Sequence, residues 1–202
     1  MVSLARPRFI LSVTTLFLIS TLCLADTGLF LNKDSAVTPS VKPLVLFYSR
    51  TGTTRTLARE ISKQLSWEIE EVISRKNRNY LGTVTCVFDQ LFDRDDDVES
   101  LKRDLSEYNL LLIASPVWIH EISSPMRTLL KESGVKDKDV FLVLTNNGNF
   151  DEEDEKSIRE KISSYGLSVI GSCPVCTSDK DEVTLRHDAH TIVKDITVIL
   201  NE

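Results

Sequence analysis

The sequence predicts an open α/β fold, a parallel sheet with helices on both faces. Three observations carry the prediction. Apolar strand-like runs alternate with amphipathic helix-like stretches along the chain. Residues 110–114 and 140–144 are apolar throughout, as strands buried on both faces are. Loops rich in Ser, Thr, Asn, Gly and Pro follow the first, central and fourth runs. Parallel strands need crossover connections, and these are right-handed, so the helices cover both faces.

The elements follow in order. Residues 44–48, behind Pro43, form a first buried strand, and 49–53 a loop of hydroxyls and glycine. Residues 54–65 place Leu57, Ala58, Ile61 and Leu65 at helical spacing. Residues 68–73 read as a second strand and 75–79 as a basic break. Residues 81–92 read as a partly buried helical stretch with Cys86 as a buried free thiol. An acidic loop spans 93–97, and 99–107 read as a solvated helix or loop. The central strand covers 110–114 and is ended by Ser115 and Pro116. A helix then opens at Ser123-Ser124-Pro125 and closes at Gly134. A strand at 140–144 leads into the polar loop 145–149. A helix over 151–165 carries acids in its first turns, as the helix dipole favours, and Gly166 caps it. A fifth strand spans 167–170. The last helix, 181–200, aligns Leu185, Ala189, Ile192, Ile196 and Ile199.

Composition narrows the function classes. The 202 residues carry a formal charge of −6, with 42% hydrophobic and 27% charged residues, an ordinary globular balance. The acidic excess argues against nucleic-acid binding, which needs a basic face. The charge also hides a leader. Arg6 and Arg8 precede an uncharged apolar stretch over 9–24, and Ala25 ends it before Asp26. That pattern reads as a signal peptide over 1–25 or, at 17 residues from Phe9 to Ala25, a short uncleaved anchor. Removing it takes the formal charge from −6 to −8. Residues 26–40 read as a flexible tether and 41–202 as the folded domain. The protein is therefore expected to be exported, periplasmic, secreted or lumenal, and to touch a membrane only if the leader is retained.

In open parallel sheets ligands bind beyond the carboxyl ends of the strands. The first such loop reads Ser49-Arg50-Thr51-Gly52-Thr53-Thr54-Arg55. A helix starts inside it, and free N–H groups at a helix start make an anion site. Four hydroxyls add donors, and Gly52 lets the backbone come close to a ligand. The same residues would also suit a plain helix cap. No Walker or dinucleotide pattern is present in this loop.

The stretch LFYSRTGTTRTLAREI resembles the flavodoxin phosphate loop, Thr/Ser-x-Thr-Gly-x-Thr. YNLLLIASPVWIHEISSPMRTLL resembles the flavodoxin third strand with its flavin-covering loop. RKNRNYLGTV resembles the stretch after the second strand in a short-chain branch of that family. The similarity covers about 43–175. It implies a flavodoxin-like three-layer sandwich, a five-stranded parallel sheet in the order 2-1-3-4-5. It also implies non-covalent FMN, held by Ser49, Arg50, Thr51, Gly52, Thr53 and Thr54 at the phosphate. Ser115, Pro116, Val117 and Trp118 would lie at the ring, with Trp118 stacked on the isoalloxazine. Thr145, Asn146, Asn147 and Gly148 would form the second flavin loop, with Phe150 as a candidate aromatic. Arg50 and Arg55 would attract the phosphate or merely solvate the loop, and His120 would lie beside the ligand or at the surface. The flavin would carry the electrons, so no catalytic side chain is expected. The expected role is electron transfer or an FMN-dependent reductase, with a redox protein or a quinone as partner.

Cys173-Pro174-Val175-Cys176 departs from the family's usual ending. In an exported chain it reads as a local disulfide, or as a redox dithiol relaying to the flavin. A thiol–disulfide oxidoreductase using Cys173 and Cys176 is thus an alternative, as is a flavodoxin-fold binding module without flavin. No second cysteine pair with metal-site spacing is present, and no metal is expected.

Overall fold

A computed structural model of the protein describes residues 41–76 and 95–201. The leader, the tether and the expected helix over 81–92, with Cys86, lie outside these residues. No helix among the described residues is long and apolar enough to cross a membrane.

The described chain runs β1 (Pro43–Phe47), α1 (Thr53–Leu65), β2 (Glu68–Glu71), a 3-10 turn (Leu105–Glu107), then β3 (Leu110–Trp118) and β4 (Glu121–Ile122). It continues through α2 (Ser124–Glu132), β5 (Asp139–Asn146), α3 (Glu152–Ser164), β6 (Ser168–Cys176) and α4 (Glu182–Asn201). The main sheet has the order β2-β1-β3-β5-β6, every neighbouring pair parallel. Renumbered without β4, this is 2-1-3-4-5, the flavodoxin-like order that the resemblance implies. β4 is a short addition that pairs antiparallel with the end of β3.

Strand periodicity sorts the core into two layers. Leu44, Leu46, Leu111, Ile113, Leu142 and Leu144 face Met126, Leu130, Ile158 and Ile162 of α2 and α3. Val45, Phe47, Leu112, Ala114, Phe141 and Val143 face Leu57, Ile61, Ala189, Ile192 and Ile196 of α1 and α4. The unbroken apolar runs of β1, β3 and β5 are the consequence of covering both faces.

Three boundaries differ from the sequence reading. β3 does not stop at Ser115 and Pro116 but runs on to Trp118. Its pairing with β1 ends at Phe47↔Ala114, while pairing with β5 continues through Pro116↔Thr145. Pro116 therefore occupies an open-sided position, where a missing N–H is tolerated. β5 likewise takes in Thr145 and Asn146, which the sequence assigns to a loop. β6 extends to Cys176 rather than ending at Ile170. A register shift beside Val140/Phe141 lets Gly171 pair with Phe141. A Cβ on Gly171 would lie 2.6 Å from Phe141 Cε2 and 2.9 Å from Ile199 Cδ1, so glycine is required for the close approach of ring and strand.

Candidate functional site

The carboxyl ends of β1, β3 and β5 bring the three loops to one edge of the sheet. Thr54 Oγ1, at the start of α1, lies 2.8 Å from Thr145 Oγ1, near the end of β5. Thr145 Oγ1 in turn lies 3.5 Å from the carbonyl of Ser115. One buried hydroxyl thus ties the first and third loops together beside the second.

The first loop is shaped by its own residues. Gly52 is the N-cap of α1, at φ 102, and no side chain caps the helix. The first intrahelical bond runs from Thr56 N to the Gly52 carbonyl. The N–H groups of Thr53, Thr54 and Arg55 therefore precede the helical ladder and offer donors to an anion. Gly52 N donates to Ser49 Oγ at 3.1 Å, which holds the turn. Ser49 and Thr54 are buried, Thr51 is exposed, and Gly52 and Thr53 are half-buried. A Cβ on Gly52 would meet nothing within 4 Å, so the ground above this turn is open. Arg50 is exposed. Arg55 is engaged elsewhere: both ends of its guanidinium reach the Glu71 carboxylate at the end of β2, and Glu71 raises its pKa by that hydrogen bond. Of the two arginines, Arg55 is committed to the fold.

The second loop is a hairpin. Val117 pairs with Ile122 and Trp118 with Glu121, leaving Ile119 and His120 as a two-residue turn. Both have positive φ, 47° and 62°. Two-residue hairpin turns favour that geometry and usually fill it with Asn and Gly, so Ile119 and His120 carry no turn cue. Trp118 is half-buried, and Tyr48 packs edge-on against it, with centroids 5.6 Å apart and planes at 86°. The contact fixes the indole plane, leaving an aromatic surface beside the loops. Ser115 is placed differently from the expected ring contact. It is wholly buried, and its hydroxyl lies 2.7 Å from Ser123 Oγ. Pro116 carries the Ser123 N–H on its carbonyl at 3.0 Å, and Val117 is half-buried.

The third loop folds back on Asn146. Its Oδ1 accepts from Gly148 N at 2.8 Å, and its carbonyl accepts from Thr177 N at 2.8 Å and Thr177 Oγ1 at 3.0 Å. Ser178 Oγ donates to the Asn147 carbonyl at 2.8 Å. Gly148 stands at φ 98. Phe150 is half-buried and packs against the α2–α3 side of the core. Asn146 and Thr145 are buried, so backbone and Gly148 form the open part of this loop.

The Cys173–Cys176 pair is separated by the strand. Residues three apart on a strand point to opposite faces, about 10 Å apart, beyond disulfide reach. Both thiols are free. Cys173 packs into the α1–α4 layer, and burial, with Asp195, Glu155 and Asp188 adding to it, pushes its thiol up to about 11. Cys176 is exposed, and its Sγ would lie 3.7 Å from a Cβ on Gly148. Neither the local disulfide nor the adjacent dithiol expected from the spacing is formed.

The sequence also gave no sign of the residues that brace the hairpin. His120 Nδ1 lies 2.8 Å from Asp154 Oδ2 of α3, and Lys161 Nζ lies 2.5 Å from Glu121 Oε2. The hydrogen bond to Asp154, and its negative charge, hold His120 above the ordinary histidine value.

No family model matches the chain, and no curated protein does. Solved structures do. The apo-form of the flavoprotein from Lactobacillus acidophilus NCFM is 27% identical, covering 72% of this chain and 96% of its own, with a TM-score of 0.55. The flavoprotein from the same organism in complex with FMN is 24% identical over 67% of this chain and 93% of its own, TM-score 0.53. A protein of Bacteroides uniformis classed as a flavoprotein is 17% identical over 74% of this chain and 98% of its own, TM-score 0.60. With the strand order, these likenesses establish a flavodoxin-like fold for the described domain.

Proposed function

We propose that this chain binds FMN non-covalently and transfers electrons through it. The observation that carries the reading is the convergence of three loops on one sheet edge, joined by the Thr54–Thr145 contact. The site suits the group on its own terms. An uncapped helix start with an open Gly52 turn fits a phosphate monoester, and a braced, half-buried Trp118 fits a flat apolar ring.

Bound there, the flavin would supply the electron-accepting and electron-donating chemistry. The protein's residues do the rest. The N–H groups of Thr53, Thr54 and Arg55, with the hydroxyls of Thr51 and Thr53, donate to the phosphate oxygens. Trp118 would cover one side of the ring and keep water from it. The backbone of Val117, Trp118, Asn147 and Gly148 would offer N–H and C=O groups to the polar edge of the ring. Ser115, Thr145 and Asn146 act one step back, by fixing the loops. Acid residues cluster beside the third loop, with Asp151 capping α3 and Glu152, Glu153, Asp154 and Glu155 in its first turn. Their field disfavours an anionic reduced flavin and so lowers its potential.

The recipient is a redox protein or a small acceptor such as a quinone, reached at this edge. The thiol reading is not favoured, because Cys173 and Cys176 face apart and Cys173 stays protonated. The leader is read as an export signal, or an anchor if retained. The test is the absorption spectrum of the purified chain, followed by thermal melting with saturating FMN. A flavin spectrum, or a melting temperature raised by FMN, supports the reading. A colourless, folded protein that FMN does not stabilise overturns it and leaves a binding module that kept the fold.

A further inference from the structure

The hairpin turn at Ile119–His120 is held in an unfavourable shape. A β-branched residue at φ 47 is an outlier for an L-amino acid, and His120 at φ 62 follows it. Ile119 is also partly exposed, so no burial of its side chain explains the turn. What opposes the strain is a pair of links from the hairpin to α3. One joins Glu121 to Lys161, and the other joins His120 Nδ1 to Asp154 Oδ2 at 2.8 Å. Asp154 is not a free surface acid. Its Oδ2 also accepts from Asp151 N at 3.3 Å, and its own N donates to Asp151 Oδ1 at 3.0 Å, the capping box that starts α3. α3 begins two residues after Phe150. The His120–Asp154 contact therefore bridges the second loop, which carries Trp118, to the end of the third.

We propose that His120 is a positioning residue, a protonation-dependent latch that holds the Trp118 hairpin against the start of α3 and so sets how tightly the two ring-side loops close. The proposal rests on the FMN reading above for its ligand. The latch itself belongs to the hairpin.

The groups around His120 fix the sign. Asp154 and Asp151 of α3 act on it, both negative. Its neighbour Glu121 is turned to Lys161, with Arg127 Nη1 at 3.9 Å. With a carboxylate partner, the cationic ring is favoured in the latched state and the charge-assisted bond is the stronger one. The stabilisation is complete below the ordinary histidine value of about 6.5 and is lost as pH rises through the raised value. Neutral imidazole still donates to Asp154 in one tautomer, so the latch loosens rather than opens. His120 is exposed, and solvent screens the pair.

The test uses the full chain, with H120Q and D154N. H120Q keeps a donor without a titration, and D154N removes the charge while keeping the shape. NMR titration without FMN reads the His120 ring and the Trp118 indole N–H. FMN affinity is measured across pH 5.5 to 9 by fluorescence quenching. The FMN phosphate, itself titrating at about pH 6, is common to all three proteins and cancels in their ratio. The expected result has three parts. His120 titrates above the ordinary range in the wild type and returns toward it in D154N. The Trp118 resonance moves with the same midpoint, and does not in H120Q. H120Q binds FMN about two- to five-fold more weakly than wild type at low pH, the span of an exposed ion pair, and the ratio approaches one at high pH. A His120 that titrates at its ordinary value, a Trp118 resonance indifferent to it, or an affinity ratio flat across pH overturns the latch. If FMN fails to bind at any pH while His120 still titrates high and moves Trp118, the functional reading falls and the latch stands.

Discussion

Replacing Thr54 and Thr145 by valine, singly and together, tests whether the first and third loops are joined as the structure places them. Both residues are almost fully buried, at 3% and 4% exposure, and their hydroxyl oxygens lie 2.8 Å apart. Valine keeps the shape and removes the hydroxyl. In T54V the Thr145 hydroxyl is left with the Ser115 carbonyl at 3.5 Å, a long and weak bond. A buried hydroxyl that loses its partner costs about 1–3 kcal/mol, and the remaining contact places T54V at about 1–2 kcal/mol. T145V has a similar cost, since Thr54 then loses its 2.8 Å hydroxyl partner. In the double variant neither hydroxyl is stranded, so its loss falls short of the sum by about 1 kcal/mol. Urea unfolding of the four proteins, read by far-UV circular dichroism, gives the cycle directly. Additive losses, with coupling under about 0.3 kcal/mol, would refute the contact and with it the convergence of the loops.

Other outcomes follow from single positions. G171A forces a Cβ to within 2.6 Å of the Phe141 ring, and urea unfolding should show a loss of about 1–3 kcal/mol from overpacking. G52A meets no atom within 4 Å but must hold φ 102, so the cost is about 1–2 kcal/mol of backbone strain, with FMN quenching weakened at the phosphate end. Brief alkylation at pH 8 followed by peptide mass mapping should label Cys176 well ahead of Cys173. Cys173 is half-buried with a thiol near 11, and equal labelling would contradict its placement in the α1–α4 layer.

Much of this architecture was readable because its physics is local. The apolar runs of β1, β3 and β5 announce strands covered on both faces, and the spacing of Leu57, Ala58, Ile61 and Leu65 announces α1. The N-cap of α3 at Asp151 and the positive φ of Gly134 and Gly166 also follow from residue type. What was not readable depends on partners far away in the chain. β3 continues to Pro116 because β5 lies beside it, and on to Trp118 because β4 folds back to pair with it; no residue of β3 says so. β6 runs on to Cys176 for the same reason, which separates two thiols whose spacing suggests a pair. Arg55 reads equally as a phosphate attractor and as a solvated loop residue until Glu71 is placed beside it. Ser115 looks like a ring contact until Ser123 takes its hydroxyl. The β3–β4 hairpin escaped because Ile119 and His120 are not turn residues, and the groups that contact it, Asp154 and Lys161, come from α3, far along the chain.

On the reading proposed above, the start of α1 holds a phosphate while the other two loops hold a ring. Titration calorimetry with FMN and with riboflavin, which differ only in that phosphate, tests it most directly. Two or three charge-assisted bonds from the backbone N–H groups of Thr53, Thr54 and Arg55 amount to several kcal/mol, so FMN should bind at least about 100-fold more tightly. Equal affinities, or no heat from either ligand with a folded protein, would contradict the account.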